Sequence, residues 1–135
     1  DEFFCVVIVE NDDGIIASGL AYTRTMRQGS YNFTAAIIGN VAVKLSYRGQ
    51  GLSKVVMGQL EQALAPIDVA YSFLFAYETN VYQSSGYSQL ESPIRYFDTQ
   101  KQNWNQFVYR GGMFKAHTSK RTLNQKVIEF GGCVY

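Results

Sequence analysis

The stretch from Ile37 to Leu64, IIGNVAVKLSYRGQGLSKVVMGQLEQAL, limits the folds open to this chain more than any other. It opens with a β-branched apolar run, Ile37, Ile38, Val41 and Val43, the composition of a buried strand. The run breaks at Tyr47-Arg48-Gly49-Gln50-Gly51-Leu52-Ser53, a loop with two glycines one residue apart. Beyond it Val56, Leu60, Ala63 and Leu64 recur at helical spacing, while Lys54, Gln59, Glu61 and Gln62 point elsewhere. Strand, glycine loop and helix together make a device for holding phosphate. The first N–H groups of a helix lack internal acceptors and sit at the positive end of its dipole. Glycines let the backbone close on an anion, and Arg48 adds a permanent charge. Two familiar phosphate loops are excluded. No Gly-x-x-x-x-Gly-Lys-[Ser/Thr] run is present, and Lys54 stands where a dinucleotide fingerprint needs its third glycine.

At 135 residues the chain makes one domain with a core, and 47% hydrophobic residues with a net charge of +1 describe an ordinary soluble globule. That balance predicts neither a nucleic-acid surface nor a membrane span, which needs ~20 apolar residues in a row. Cys5 and Cys133 lie near opposite ends without a framework pattern, and read as free thiols in a reducing, cytoplasmic setting.

In chain order, Phe3 to Glu10 reads as a strand buried on both faces, and Asn11 to Gly14 as a hairpin turn. Ile15 to Thr25 returns as a second strand with Gly19 a candidate bulge; Arg27 to Asn32 is a polar connection, and Phe33 to Ser46 the third strand. This antiparallel lead-in disfavours a dinucleotide-binding fold, whose loop follows the first strand of a parallel unit. After the helix, Val69 to Tyr77 is an apolar strand that the crossover makes parallel to the third. Glu78 to Gly86 is a short helix or turn. Leu90 to Phe97 and Phe107 to Lys115 read as closing strands around a polar connector, Asp98 to Asn105. Lys115 to Lys126 reads as a solvated basic loop and Val127 to Tyr135 as a last strand-like piece.

The loop resembles motif A of the GNAT superfamily of acyl-CoA-dependent N-acyltransferases. Val43, Tyr47, Arg48, Gly49, Gly51 and Leu52 match it; Leu45 stands where proline is common, and Ser53 where the last small residue is usual. A second motif of that family, Tyr-x-x-x-Gly-Phe/Tyr, is matched by Tyr82-Gln83-Ser84-Ser85-Gly86-Tyr87. The resemblance spans about Phe3 to Tyr87. It implies an α+β fold, a mostly antiparallel sheet with one parallel pair splayed around CoA. It makes residues 1–135 a single domain whose family counterpart carries one more strand and two helices upstream of Asp1; those elements line the acceptor site.

The resemblance implies acetyl transfer from acetyl-CoA, as co-substrate, to an amine of a small molecule or protein, by direct attack in a ternary complex. Ala42, Val43 and Leu45 would offer backbone groups to the pantetheine arm, and Arg48, Gly49, Gln50, Gly51, Leu52 and Ser53 would hold the pyrophosphate. Asn80 is a further candidate for the arm. Tyr82 is the candidate acid for the departing thiolate, with packing as its plain alternative. The base is open. Thr34 to Tyr47 contains no carboxylate, so Glu78, a water chain or an upstream residue remain, and Glu78 reads first as a helix N-terminal charge that stabilises its own helix. His117, the only histidine, has no ligand-spaced neighbour, so no metal is expected. The resemblance leaves room for a homodimer and gives no reason to expect nucleic acid or membrane. A non-catalytic acyl-CoA-binding module is the alternative that the missing strand carboxylate permits.

Overall fold

The computed structural model describes residues 3–117, 123–132 and 134. Three antiparallel strands open it: β1 (Phe4–Asn11), β2 (Gly14–Gln28) and β3 (Tyr31–Val43). The first turn is held by the Asp13 N–H donating to Asn11 Oδ1 at 2.8 Å, and Gly14 takes the positive φ of 93° that follows it. The second turn is tighter than the polar composition of Arg27 to Asn32 implies. Arg27 pairs with Asn32 and Gln28 with Tyr31, so only Gly29 and Ser30 turn. Gln28 is buried there because its side-chain amide is satisfied, donating to the carbonyls of Asn124 (2.9 Å) and Lys126 (2.7 Å).

A helix, α1 (Leu52–Leu64), crosses from β3 to β4 (Tyr71–Phe75), which lies parallel to it. Val56, Met57, Leu60 and Leu64 form its buried stripe. They meet Ala17, Ala21, Ala36 and Ile38 on the sheet. The approach is close at Gly19, where a Cβ would stand 2.7 Å from Cγ1 of Val56. A one-turn helix, α2 (Asn80–Gln83), follows β4. Then come β5 (Ser88–Gln89), β6 (Ile94–Asp98), β7 (Asn103–Phe107), β8 (Gly112–Ala116) and β9 (Ile128–Phe130).

The strand order is β5-β8-β4-β3-β2-β9-β6-β7, with β1 also on β2. β2 is long enough to serve both partners, its first part pairing with β1 and Met26 to Gln28 with β9. The sheet curls, so that Phe73 of β4 and Phe130 of β9 bring their rings to 5.7 Å although two strands separate them. Tyr22, Phe73, Ile94, Ile128 and Phe130 fill this second core on the side away from α1.

Two sequence expectations are corrected. β1 is not buried on both faces: Cys5, Val7 and Val9 pack toward α1, but Phe4, Val6 and Ile8 are 61%, 52% and 52% exposed. An apolar run does not tell one covered face from two, and only α1 covers this strand among the described residues. The closing region is not two strands around a connector. Asp98 to Asn105 holds a hairpin turn and the start of β7, whose Trp104 pairs across with Phe97 at 5.5 Å, while β8 is a separate strand paired with β4. Asn103, Trp104, Asn105 and Gln106 read as connector because this edge strand is mostly exposed and therefore polar.

Candidate functional site

β3 and β4 pair only from Ala35–Tyr71 to Ile38–Leu74. Beyond that point they part. The register of β2 on β3 shifts where Ser18 meets Ala42 and Leu20 meets Gly39, which puts one extra residue into β3 opposite Gly19. Asn40 takes up the bulge with a φ of 52°, a conformation asparagine tolerates better than most residues. β3 bends with it, and β4 turns at its end to Gly111, whose carbonyl accepts the Ala76 N–H. The parting strands enclose a cavity of about 480 Å³, lined by Ile38, Gly39, Asn40, Val41, Leu74, Phe75, Ala76, Tyr77, Glu78, Val81 and Tyr82.

At the C-terminal end of β3 stands the glycine loop. Leu45–Tyr47 makes one 3₁₀ turn, and Gly49 and Gly51 have φ of 81° and 80°. A Cβ on either would meet nothing within 4 Å, so glycine is required there by backbone conformation rather than space. Gly51 caps α1 without a side-chain bond, and no acidic residue lies in the first turn, which leaves the positive helix end uncompensated. Arg48 Nε donates to the Val43 carbonyl at 3.1 Å, tying the loop to its strand. Tyr47 ties it to the first turn, its hydroxyl donating to Asp13 and accepting from Asn11 Nδ2 at 3.0 Å. Leu52 and Ser53 are half-buried; Gln50 is exposed.

Tyr82 is half-buried on α2 and lines the cavity. Burial pushes its phenol above the ordinary value, and the neighbouring Glu78 carboxylate pushes the same way. It therefore keeps its proton through neutral pH and beyond. Glu78 is exposed at the cavity's lip. Asn80 is exposed on α2, outside the lining, and Ala42, Val43 and Leu45 lie between the lining residues and the loop. Gly39, Asn40 and Val41, which do line the cavity, escaped the sequence reading. Their signal was a Gly-Asn pair interrupting an apolar strand.

A second pairing was also missed. Ser72 Oγ and His117 Nε2 share a hydrogen bond of 2.6 Å at the opposite end of β4, near the Lys115–Glu61 ion pair. No spacing rule links residues on non-consecutive strands. Cys5 is a free thiol; Cys133 lies outside the described residues, as do residues 118–122 of the basic stretch. Among the described residues no helix is long and apolar enough to cross a membrane, and no three His, Cys, Asp or Glu side chains cluster as metal ligands would.

Residues 4–90 match the family model described as Acetyltransferase (GNAT) domain, and the chain belongs to that family. The fold is similar to that of a GCN5-related N-acetyltransferase from Kribbella flavida (TM-score 0.60, 22% identity, 65% of this chain and 22% of that one). It is also similar to a probable N-acyltransferase from Enterococcus faecalis (TM-score 0.57, 26% identity, 62% of this chain and 22% of that one). The GNAT family protein YhbS from Escherichia coli, solved in complex with CoA, aligns with 93% of this chain and 66% of its own (TM-score 0.60, 13% identity). The chain thus spans about a fifth of the Kribbella and Enterococcus proteins. No curated protein sequence matches at a significant level.

Proposed function

We propose that this chain transfers an acetyl group from acetyl-CoA to an amine by direct attack in a ternary complex. The observation that carries the reading is the cavity between the parting ends of β3 and β4, with the glycine loop beyond β3 and Tyr82 in its wall. In this reading Arg48, Gly49, Gln50, Gly51, Leu52 and Ser53 hold the pyrophosphate. The pantetheine arm runs along the backbone of Gly39 to Val41, with Ala42, Val43, Leu45 and Asn80 as further contacts. YhbS, with CoA bound, shares the fold.

The reaction forms an N–C bond and breaks the C–S bond of the thioester. The amine must attack as the neutral base, although its ordinary pKa is about 10. One of its protons leaves as the amide forms, and the thiolate gains one. In this reading Glu78, at the lip, receives the amine's proton directly or through water. Tyr82 faces the other task. An ordinary phenol (about 10) is a weaker acid than an ordinary thiol (about 8.5), so full transfer is uphill by about 2 kcal/mol even before burial. Its contribution is therefore a hydrogen bond donated to sulfur as negative charge grows there, with proton delivery completed from water.

Calorimetric titration of the chain with CoA, followed by acetyl-CoA turnover against a panel of amines, tests this reading. Binding with turnover supports it. Binding without turnover favours a non-catalytic acyl-CoA module, which the lack of a carboxylate from Thr34 to Tyr47 permits. No binding removes both.

A further inference from the structure

A second cavity, of about 220 Å³, opens beside the first. It is lined by Phe75, Ala76, Tyr77, Phe107, Tyr109 and Arg110, so the two cavities share the turn from Phe75 to Tyr77. Its walls are aromatic. The Phe75 ring lies 5.0 Å from that of Phe107 and 5.3 Å from that of Tyr109, and Phe107 stacks on Tyr109 at 6.1 Å. The Tyr109 hydroxyl is already committed, donating to the Ser92 carbonyl, so its ring is fixed. Gly111 holds this wall against β4: a Cβ there would stand 1.8 Å from the Ala76 carbonyl oxygen.

The charges on the two cavities are opposite. Arg110 is the only charged residue lining the aromatic one and makes no ion pair among the described residues. Among the described residues Glu78 is the only charged one lining the other. We infer that the acceptor is an amine with an aromatic body and a carboxylate, the chemistry of an aromatic amino acid. The inference rests on the acetyl-transfer reading above and names the substrate class for that site. The ring packs against the cavity side of the cluster that Phe75, Phe107 and Tyr109 make with one another, where rings gain from offset or edge contacts. The carboxylate pairs with Arg110, whose planar fork suits it. The amine is left pointing toward Glu78 and the thioester side. A polyamine would also find ring faces here, but Arg110 repels it and no carboxylate in the aromatic cavity compensates.

The test measures acetylation of phenylalanine, phenethylamine (no carboxylate), alanine (no ring) and spermidine. Calorimetry in saturating CoA also reads binding of the product, N-acetylphenylalanine. Phenylalanine is expected to exceed each of the others about tenfold or more in kcat/KM. Arg110→Ala should erase its advantage over phenethylamine and weaken product binding, with CoA affinity unchanged and partial recovery in Arg110→Lys. Arg110 is exposed, so its variants should fold. Equal or better turnover of spermidine or phenethylamine overturns the inference, as does product binding indifferent to Arg110→Ala. If CoA binds without turnover, the acetyl-transfer reading and this inference both fall, whereas turnover with another preference overturns the inference alone. Failure to bind CoA at all removes the acetyl-transfer reading, and this inference with it.

Discussion

Ser72 Oγ and His117 Nε2 lie 2.6 Å apart, one on β4 and the other just past β8, 45 residues away in sequence. Ser72 is fully buried, and the bond satisfies a hydroxyl that has no water to turn to. Burial pushes the His117 imidazole below its ordinary 6.5; Glu61 opposes the shift and Lys115 adds to it.

Below pH 6.5 the unfolded chain takes up a proton that folded His117 still refuses, so stability is complete above 6.5 and declines as pH falls through the lowered value. Thermal melting from pH 7.5 to 4.5 should show a steeper acid decline in the wild type than in His117→Gln. Parallel profiles would place the acid sensitivity elsewhere.

Gly51→Asp meets nothing at its Cβ, but the φ of +80° strains a side chain there by about 1–2 kcal/mol, a conformation aspartate tolerates better than most residues. Its carboxylate would oppose a phosphate at the head of α1, and CoA affinity should fall more than tenfold, about 1.4 kcal/mol. Unchanged affinity in the folded variant would remove the loop from the binding site.

Tyr82→Phe keeps the ring and loses the hydroxyl. CoA affinity should barely change while kcat falls, by about 10²–10⁴-fold if the tyrosine acts as a full acid. The raised phenol favours the lower end of that range. The defect should shrink with an acyl donor whose leaving group needs less stabilisation. Full activity would reduce Tyr82 to packing.

Gly19→Ala and Gly111→Ala should both destabilise, by different amounts. At Gly19 the obstacle is the side chain of Val56, and overpacking of this kind costs about 1–3 kcal/mol. At Gly111 the obstacle is the Ala76 backbone and φ is +62°, so the loss should be larger. Denaturant midpoints give the order, and a reversed order would mean that Val56 on α1 cannot give way at Gly19 while the turn at Gly111 can.

Much of this protein was legible from local pattern. The β-branched run into Gly49 and Gly51 and the apolar stripe of α1 express backbone and packing preferences that act within a few residues, so the strand, loop and helix could be read directly. The crossover made β4 parallel because a helix returning to the same sheet leaves little choice. The Tyr82–Gly86 spacing, by its likeness to a family motif, singled out a phenol that lines the cavity between β3 and β4. Tertiary structure decided what depends on which element lies alongside. Burial of Cys5, Val7 and Val9 but not Phe4, Val6 and Ile8 is set by α1 covering one face. The polar β7 is a strand because Phe97 and Ile94 of β6 lie opposite Trp104 and Phe107. The aromatic cavity needs β4 and the ends of β7 and β8 to meet, and the Ser72–His117 bond needs strands far apart in sequence. No periodicity in the chain encodes such meetings, because they arise only when the sheet curls and brings its distant strands together.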